Sequence, residues 1–385
     1  MRIGMMVRGF LATPVPSKIA YSPATIAQTL AEGLEENGHE ITFYGPEGTD
    51  LKVSKVETLS IRPAVKTADQ FDEFVGTTDL FEEYRPSLYD THMAKKMLEA
   101  ADRGELDCLL FHHFESILPL ASLFPKVPVV CILHDFIDEN RREMLELHAS
   151  PNIHFISISD SQRRDAPDLA YSGTVYNGID TEMFKPDGDP EEYLMVSGRI
   201  TPSKGIKEAV QIAQQTGKRL YIAGSLSKTD SWYFDEHVKP HLNDRILFLG
   251  MLDRSQLVKY YCKASALLMP IQWQEPFGLA MAEAGSCGTP VIAFGRGSVP
   301  EVIANGKTGF IVDNSAEMIL AIEKISQIKR SDCRKHVVDN FSIKKMIDGY
   351  DTVLRSIVLD KPTKSQQKKL LFKKGLRILS DHITK

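Results

Sequence analysis

Short apolar runs alternate with helical segments along most of this chain, and they do so in two consecutive sets separated by the polar stretch Lys185-Pro-Asp-Gly-Asp-Pro-Glu-Glu192. Such alternation has one economical solution, a parallel sheet covered by helices on both faces, in which each strand is apolar throughout rather than on every second residue. In the first set a buried strand from Ile3 to Val7 is followed by a helix from Thr25 to Asn37, with Ile26, Leu30 and Leu34 on one face and Gly38 as its stop. Glu40 to Tyr44 is the next strand, and further strands are expected at 108–111, 127–133, 153–158 and 173–176. The alternation restarts at 193–197 and continues with strands at 219–223, 246–248, 266–269, 291–294 and 309–312. A chain of 385 residues is too long for one core of ordinary size. The expectation is two doubly wound α/β domains facing across a cleft, 1–185 and 186–340, with ligands beyond the carboxyl ends of the strands.

Charge and cysteine usage narrow the function classes. A net charge of −5 argues against a general nucleic-acid binder. The five cysteines, Cys108, Cys131, Cys262, Cys287 and Cys333, are scattered and lack C-x-x-C spacing, which fits a reduced cytoplasmic protein without structural zinc. The first strand lacks a G-x-G-x-x-G after it, which counts against a dinucleotide cofactor. Arg8 interrupts the first apolar run, so that run reads as a buried strand rather than a signal peptide, and no apolar stretch is long enough to span a bilayer. The end of the chain differs in kind. Residues 361–385 hold seven Lys and one Arg against one Asp, a charge of +7 that leaves −12 on the first 360 residues. With Leu370, Leu371, Leu376, Ile378 and Leu379 interleaved among the cations, the tail reads either as a basic amphipathic helix on an anionic membrane or as a solvated terminal helix.

Two segments carry chemistry. In Glu275-Pro-Phe-Gly-Leu-Ala-Met-Ala-Glu283, Pro276 suits the first helical position and Glu275 the cap before it. The amides of Phe277, Gly278 and Leu279 then lack intrahelical partners and face an anion such as a phosphate, while Glu283, two turns on, suits a pair of ribose hydroxyls. A plainly capped helix with solvated carboxylates is the alternative. Ser197-Gly198-Arg199-Ile-Thr-Pro-Ser-Lys204-Gly205 follows the first strand of the second set, so Arg199 and Lys204 stand at a strand's carboxyl end. Arg grips phosphate oxygens bidentately and Lys adds a mobile charge, so a pyrophosphate between the two segments would be neutralised without a metal.

Taken together with Cys287-Gly-Thr-Pro-Val-Ile-Ala293, Ser298-Val-Pro-Glu-Val302 and Val175-Tyr-Asn-Gly-Ile-Asp180, these segments resemble the retaining glycosyltransferases of family 4, with the GT-B fold and its Glu-x7-Glu motif. The resemblance covers most of the chain. It implies that Arg199 and Lys204 hold the donor diphosphate, that Glu275 with the Phe277, Gly278 and Leu279 amides and Gly198 binds the sugar and its phosphate, and that Glu283 holds the ribose. It also implies that His134, after a strand of the first domain, faces the donor sugar, and that a helix at 341–361 crosses back to the first domain. Many relatives have a paired-glycine loop after the first strand. This chain has Pro14-Val-Pro-Ser-Lys-Ile-Ala-Tyr-Ser-Pro23 instead, where Ser22 as a cap and Pro23 in the first turn would offer free amides to the phosphate.

The resemblance implies transfer of a hexosyl unit from a nucleotide-sugar, UDP-sugars being the commonest donors, to a hydroxyl of a sugar, lipid-linked or small-molecule acceptor. No cofactor or metal is expected, and a cytoplasmic location follows, at the inner membrane surface if the tail lies on an anionic bilayer and not if it is a solvated terminal helix. Double displacement needs a carboxylate nucleophile about 5 Å from its acid/base partner, and no motif of the first half supplies one. The resemblance implies reaction on one face instead, with Arg199, Lys204 and the helix dipole stabilising the leaving diphosphate and His134 orienting the sugar. His112 and His113 are expected near the cleft, one of them as packing, and 67–89, rich in acidic residues and Phe, reads either as part of the acceptor site or, more commonly for such a stretch, as a solvated loop or helix. An epimerase or phosphorylase on the same fold, or a nucleotide-sugar-binding protein without turnover, are the competing readings.

Overall fold

A computed structural model describes residues 1–359 apart from 17, 18, 20 and 76–79; the basic tail at 362–385 lies outside these described residues. Two parallel sheets organise the chain, and the architecture is the GT-B α/β fold. The first has seven strands in the order β3-β2-β1-β4-β5-β6-β7. They are β1 (Arg2–Met6), β2 (Glu40–Tyr44), β3 (Lys55–Glu57), β4 (Cys108–Phe111), β5 (Val129–Leu133), β6 (Ile153–Ser157) and β7 (Tyr171–Thr174). The second has six, in the order β10-β9-β8-β11-β12-β13. These are β8 (Tyr193–Ser197), β9 (Arg219–Ala223), β10 (Ile246–Gly250), β11 (Ala266–Met269), β12 (Val291–Phe294) and β13 (Gly309–Val312).

Burial explains the continuous apolar strands. Successive residues of a strand point to opposite faces, and here both faces are covered. Ile3, Met5, Cys108, Leu110, Val130 and Ile132 enter one core, while Met6, Leu109, Phe111, Val129, Cys131 and Leu133 enter another on the opposite side. The second sheet repeats the arrangement, with Met195, Leu267 and Met269 on one side and Leu194, Val196, Leu268 and Ile292 on the other. One strand was not anticipated from the sequence: β3, whose Lys55-Val56-Glu57 has a single apolar residue and pairs only with β2 at the sheet edge.

In each sheet the strand order reverses once, between β1 and β4 and between β8 and β11. Ligands of open α/β sheets bind in the crevice at that switch point. The loops that follow β1 and β4 in one sheet, and β8 and β11 in the other, therefore frame the cleft. Among the described residues the chain passes between the two sheets twice, and the two passages lie side by side: the Ile179 amide donates to the Phe341 carbonyl at 2.7 Å and the Ile343 amide to the Ile179 carbonyl at 3.1 Å. The helix Ile343–Leu359 then packs on the helix Ser22–Glu36, where Gly33 leaves room for Ile347, and His39 Nε2 stands 2.8 Å from Asp351 Oδ1. Among the described residues no helix is long and apolar enough to cross a membrane, and the five cysteines are buried free thiols.

Candidate active site at the switch points

Lys204 and Glu275, 71 residues apart, form an ion pair in the second domain, with Lys204 Nζ 2.7 Å from Glu275 Oε2. Trp273 joins them, donating from Nε1 to the same oxygen at 2.9 Å and lying under the ammonium group, 4.5 Å from ring centroid to Nζ. Both charged side chains are largely buried, so the interaction acts in a medium of low dielectric and is poorly screened. The loops bearing them are wedged together. The Gln272 amide donates to the Ser203 carbonyl at 2.8 Å, and a Cβ on Gly205, held at φ 70°, would stand 1.9 Å from the Pro270 carbonyl oxygen. Arg199 stands at the end of β8 on the same rim, exposed and with no side-chain partner among the described residues.

The Glu275 stretch departs from the expected helix start. The helix runs Leu279–Ser286 with Gly278 in the cap position at φ 81°, so Pro276 is not its first residue and Glu275 is not its cap. The reason is tertiary. The Glu275 side chain is taken by Lys204 and Trp273, its carbonyl accepts from the Ser298 amide at 2.9 Å, and the Phe277 ring is buried against Tyr176 and Phe341. The chain must then reverse at Gly278 with a positive φ that no helical residue has. The amides of Phe277, Gly278 and Leu279 find no acceptor among the described residues, so three donors remain grouped at the turn and helix start. Further along this helix, Glu283 lies 3.8 Å from Arg254 and is largely buried; burial pushes its carboxyl up to about 7, against the pull of Arg254. Gly198 approaches β9 closely: a Cβ on Gly224 would lie 1.7 Å from the Gly198 carbonyl oxygen.

Across the cleft, the loops after β1, β4 and β5 carry a second polar group. His134 Nε2 lies 2.9 Å from His112 Nδ1, and the rings are stacked with centroids 5.1 Å apart. Burial depresses both imidazoles, His134 to about 4 and His112 well below the usual histidine range, so the pair is neutral and shares one hydrogen between the two nitrogens. His113 faces outward from this pair, its Nδ1 2.9 Å from Glu115 Oε2 and its Nε2 3.7 Å from Asp90 Oδ2. Asp90 is fully buried on the helix Leu80–Asp102, accepts from the Gly9 amide at 2.7 Å and lies 3.8 Å from Arg8. Burial raises Asp90 to about 6 despite these partners, whereas Glu115, also penalised by burial, is carried down to about 2 by His113 and Arg141. Phe71 and Phe74, from the stretch expected at the acceptor side, stack on Phe10 beside this group. Ser22 is the first residue of its helix rather than its cap, which is Tyr21, since the helix begins one residue earlier than a Ser cap requires.

Sequence reading missed Arg8, Asp90, Glu115, Arg141 and Trp273. Asp90 sits mid-helix, ahead of the buried Met93 and Ala94, and the tertiary packing against Gly9 marks it. Trp273, one of two tryptophans and two residues before Glu275, carried a signal that was readable.

Residues 179–341 match the family model described as "Glycosyl transferases group 1", and residues 24–183 match that for "Glycosyltransferase Family 4". Among curated proteins, the chain is 26% identical over 374 residues to N-acetyl-alpha-D-glucosaminyl L-malate synthase of Bacillus anthracis, covering 87% of this chain and 94% of that protein. Among solved structures it is similar to sucrose-phosphate synthase from Thermosynechococcus elongatus, at a TM-score of 0.72 and 16% identity, over 93% of this chain and 99% of that one. Anabaena Alr3699/HepE in complex with UDP-glucose is similar at a TM-score of 0.66 and 15% identity, over 92% and 99% of the two chains.

Proposed function

From the premise that both halves of this chain are glycosyltransferase domains in the GT-B arrangement, we propose that it moves a hexosyl unit from a nucleotide-sugar to an acceptor hydroxyl with retention of configuration. The observation that carries this reading is the Lys204–Glu275 pair at the β8/β11 switch point, set beside three unpaired amides. A cation and a row of N–H groups suit a diphosphate, while a carboxylate fixed against that cation suits sugar hydroxyls. UDP is the proposed nucleotide, supported by the UDP-glucose bound in the Anabaena neighbour.

In the reaction Arg199 and Lys204 would take up the charge that builds on the leaving diphosphate oxygen, a preorganised electrostatic term. Lys204 is held by Glu275 and Trp273, so little reorganisation is needed as charge develops. Glu275 would hold the transferred sugar through its second oxygen, and Glu283 the ribose. His134, neutral beside His112, would orient the sugar as a hydrogen-bond partner rather than serve as a base. The acceptor's proton would pass to the departing phosphate oxygen on the same face. The proposed acceptor edge runs through Arg8, Asp90, His113, Glu115 and Arg141, where charges of both signs alternate.

Thermal-shift screening against nucleotides and nucleotide-sugars tests the donor, since a ligand that binds only the folded state raises its apparent stability. Proton NMR of the product formed from the best donor then reads its anomeric configuration. An inverted product, isomerised donor sugar in the absence of acceptor, or no stabilisation by any nucleotide-sugar overturns the reading.

A further inference from the structure

Glu301 reaches across the cleft. It belongs to the short helix Val299–Val302 of the second domain, yet its carboxylate accepts from the Asp160 amide at 2.7 Å, from the Ser161 amide at 2.7 Å and from the Tyr176 hydroxyl at 2.9 Å, all from the segment that ends the first sheet. Three donors on one carboxylate make a strong, directional contact, because hydrogen bonds to an ionised acceptor are roughly twice as strong as neutral ones. On its own side, the segment that leads to Glu301 grips the donor loop. Arg296 donates to the Ile271 carbonyl at 2.9 Å and Gln272 Oε1 at 2.8 Å, the Gly297 amide to Gln274 Oε1 at 2.7 Å, and the Ser298 amide to the Glu275 carbonyl at 2.9 Å.

On the far side the chain of contacts continues to the histidine. Gln162 follows directly on the Ser161 that Glu301 holds, and it is buried. Its side-chain amide donates to the Leu133 carbonyl at 2.9 Å and to the Asp135 carbonyl at 2.7 Å, the two residues that flank His134, while its oxygen accepts from the Ile158 amide at 3.0 Å. One short path of hydrogen bonds therefore runs from the Glu275 loop through Glu301, Ser161 and Gln162 to the backbone on both sides of His134.

We propose that Glu301 and Gln162 are positioning residues that set His134 against the donor loop, so that the two halves of the site meet in one geometry when the Glu301 contact is made. Neither residue touches the reacting atoms. The effect on turnover rests on the donor-site reading above, whereas the mechanical link does not. Misplacement of a reacting group by about 1 Å costs up to roughly a hundredfold in rate, which sets the scale expected.

The test compares wild type with E301A, E301Q, Q162L and the E301A/Q162L double variant. E301A and Q162L should each lower kcat by roughly ten- to a hundredfold, with the dissociation constant for UDP changed by less than about twofold. E301Q keeps an oxygen acceptor and should recover part of the loss. Because both residues act through one path, the double variant should lose no more than the worse single variant. A second readout needs no substrate: the ring proton resonance of His134, assigned by its loss in H134Q, should move in E301A and Q162L. If that resonance stays fixed in E301A, or if the two losses in kcat multiply, the proposal fails. If Q162L does not fold, E301A with the His134 resonance decides alone. Absence of nucleotide-sugar binding by the wild-type protein, together with a moved His134 resonance in E301A and Q162L, would sink the proposed function and leave the link standing.

Discussion

His112 and His134 share one hydrogen bond, Nδ1 to Nε2 at 2.9 Å, and neither imidazole is positioned to be charged. A histidine with a depressed folded-state pKa binds its proton more readily in the unfolded chain, so stability rises with pH across the interval between the two pKa values. For His134 that interval runs from about 4 in the fold to 6.5 unfolded. Melting temperature should therefore fall as pH drops from 6.5 towards 4, and H134Q should remove part of that slope. Calorimetry from pH 4 to 8 checks it; equal slopes for the two proteins would show that these imidazoles titrate freely.

Glu283 titrates near neutrality. With burial pushing its carboxyl up to about 7, the protonated form prevails at pH 6, and the ionised form that accepts two ribose hydroxyls prevails above about 7. Affinity for UDP should thus tighten as pH rises through 7. In E283Q the affinity should be weaker by roughly tenfold at pH 8, the scale of one hydrogen bond to a charged group, and flat across this range. Isothermal titration at pH 6, 7 and 8 reads both effects. Stability should run the other way, since this raised pKa makes the fold lose stability between 4.5 and about 7 as pH rises.

Arg199 and Lys204 are expected to be equally costly for turnover and unequal for stability. Loss of either cation should lower kcat by about two to three orders of magnitude, as for other preorganised charge stabilisers. K204A also leaves the buried Glu275 carboxylate without its cation, with the Trp273 hydrogen bond still on it, which costs about 3 kcal/mol. R199A changes an exposed side chain without a partner and should stay within about 0.5 kcal/mol of wild type. K204A/E275Q should regain stability without regaining activity. Urea unfolding together with kcat for the four proteins separates these effects, and normal turnover in R199A would remove Arg199 from the site.

Gly297 tests the seat of the donor loop. Its φ is 60°, and a Cβ there would stand 2.3 Å from the Glu275 carbonyl oxygen and 2.4 Å from its nitrogen. Backbone cannot yield as a side-chain tip can. G297A should therefore lose about 2 kcal/mol or more of stability, and UDP should stabilise the variant less than it stabilises wild type in thermal shift. An unchanged melting temperature would mean that the loop is not held as described.

The sheets were legible because parallel strands covered on both faces need unbroken apolar runs, as in Cys108–Phe111 and Val291–Phe294, whose bounds could be placed from composition alone. Lys55–Glu57 was not, since an edge strand with one neighbour needs no such run. The start of the Glu275 helix was misplaced by three residues for a related reason. Proline and a carboxylate are good local signals for a helix start, but Lys204 and Ser298, distant in sequence, hold Glu275 outside the helix.

By itself the sequence determined that two covered parallel sheets form, that Arg199 and Lys204 lie beyond the end of one strand, and that Glu283 lies on the helix following the Glu275 loop, because strand periodicity and loop chemistry are local properties. Only the tertiary structure decided that Lys204 binds Glu275, that His134 pairs with His112, and that Glu301 spans the cleft to Ser161 and through Gln162 reaches His134. Those contacts join residues tens to more than a hundred positions apart. Their partners are chosen by which loops the strand order brings to the switch points, and no local pattern records that choice.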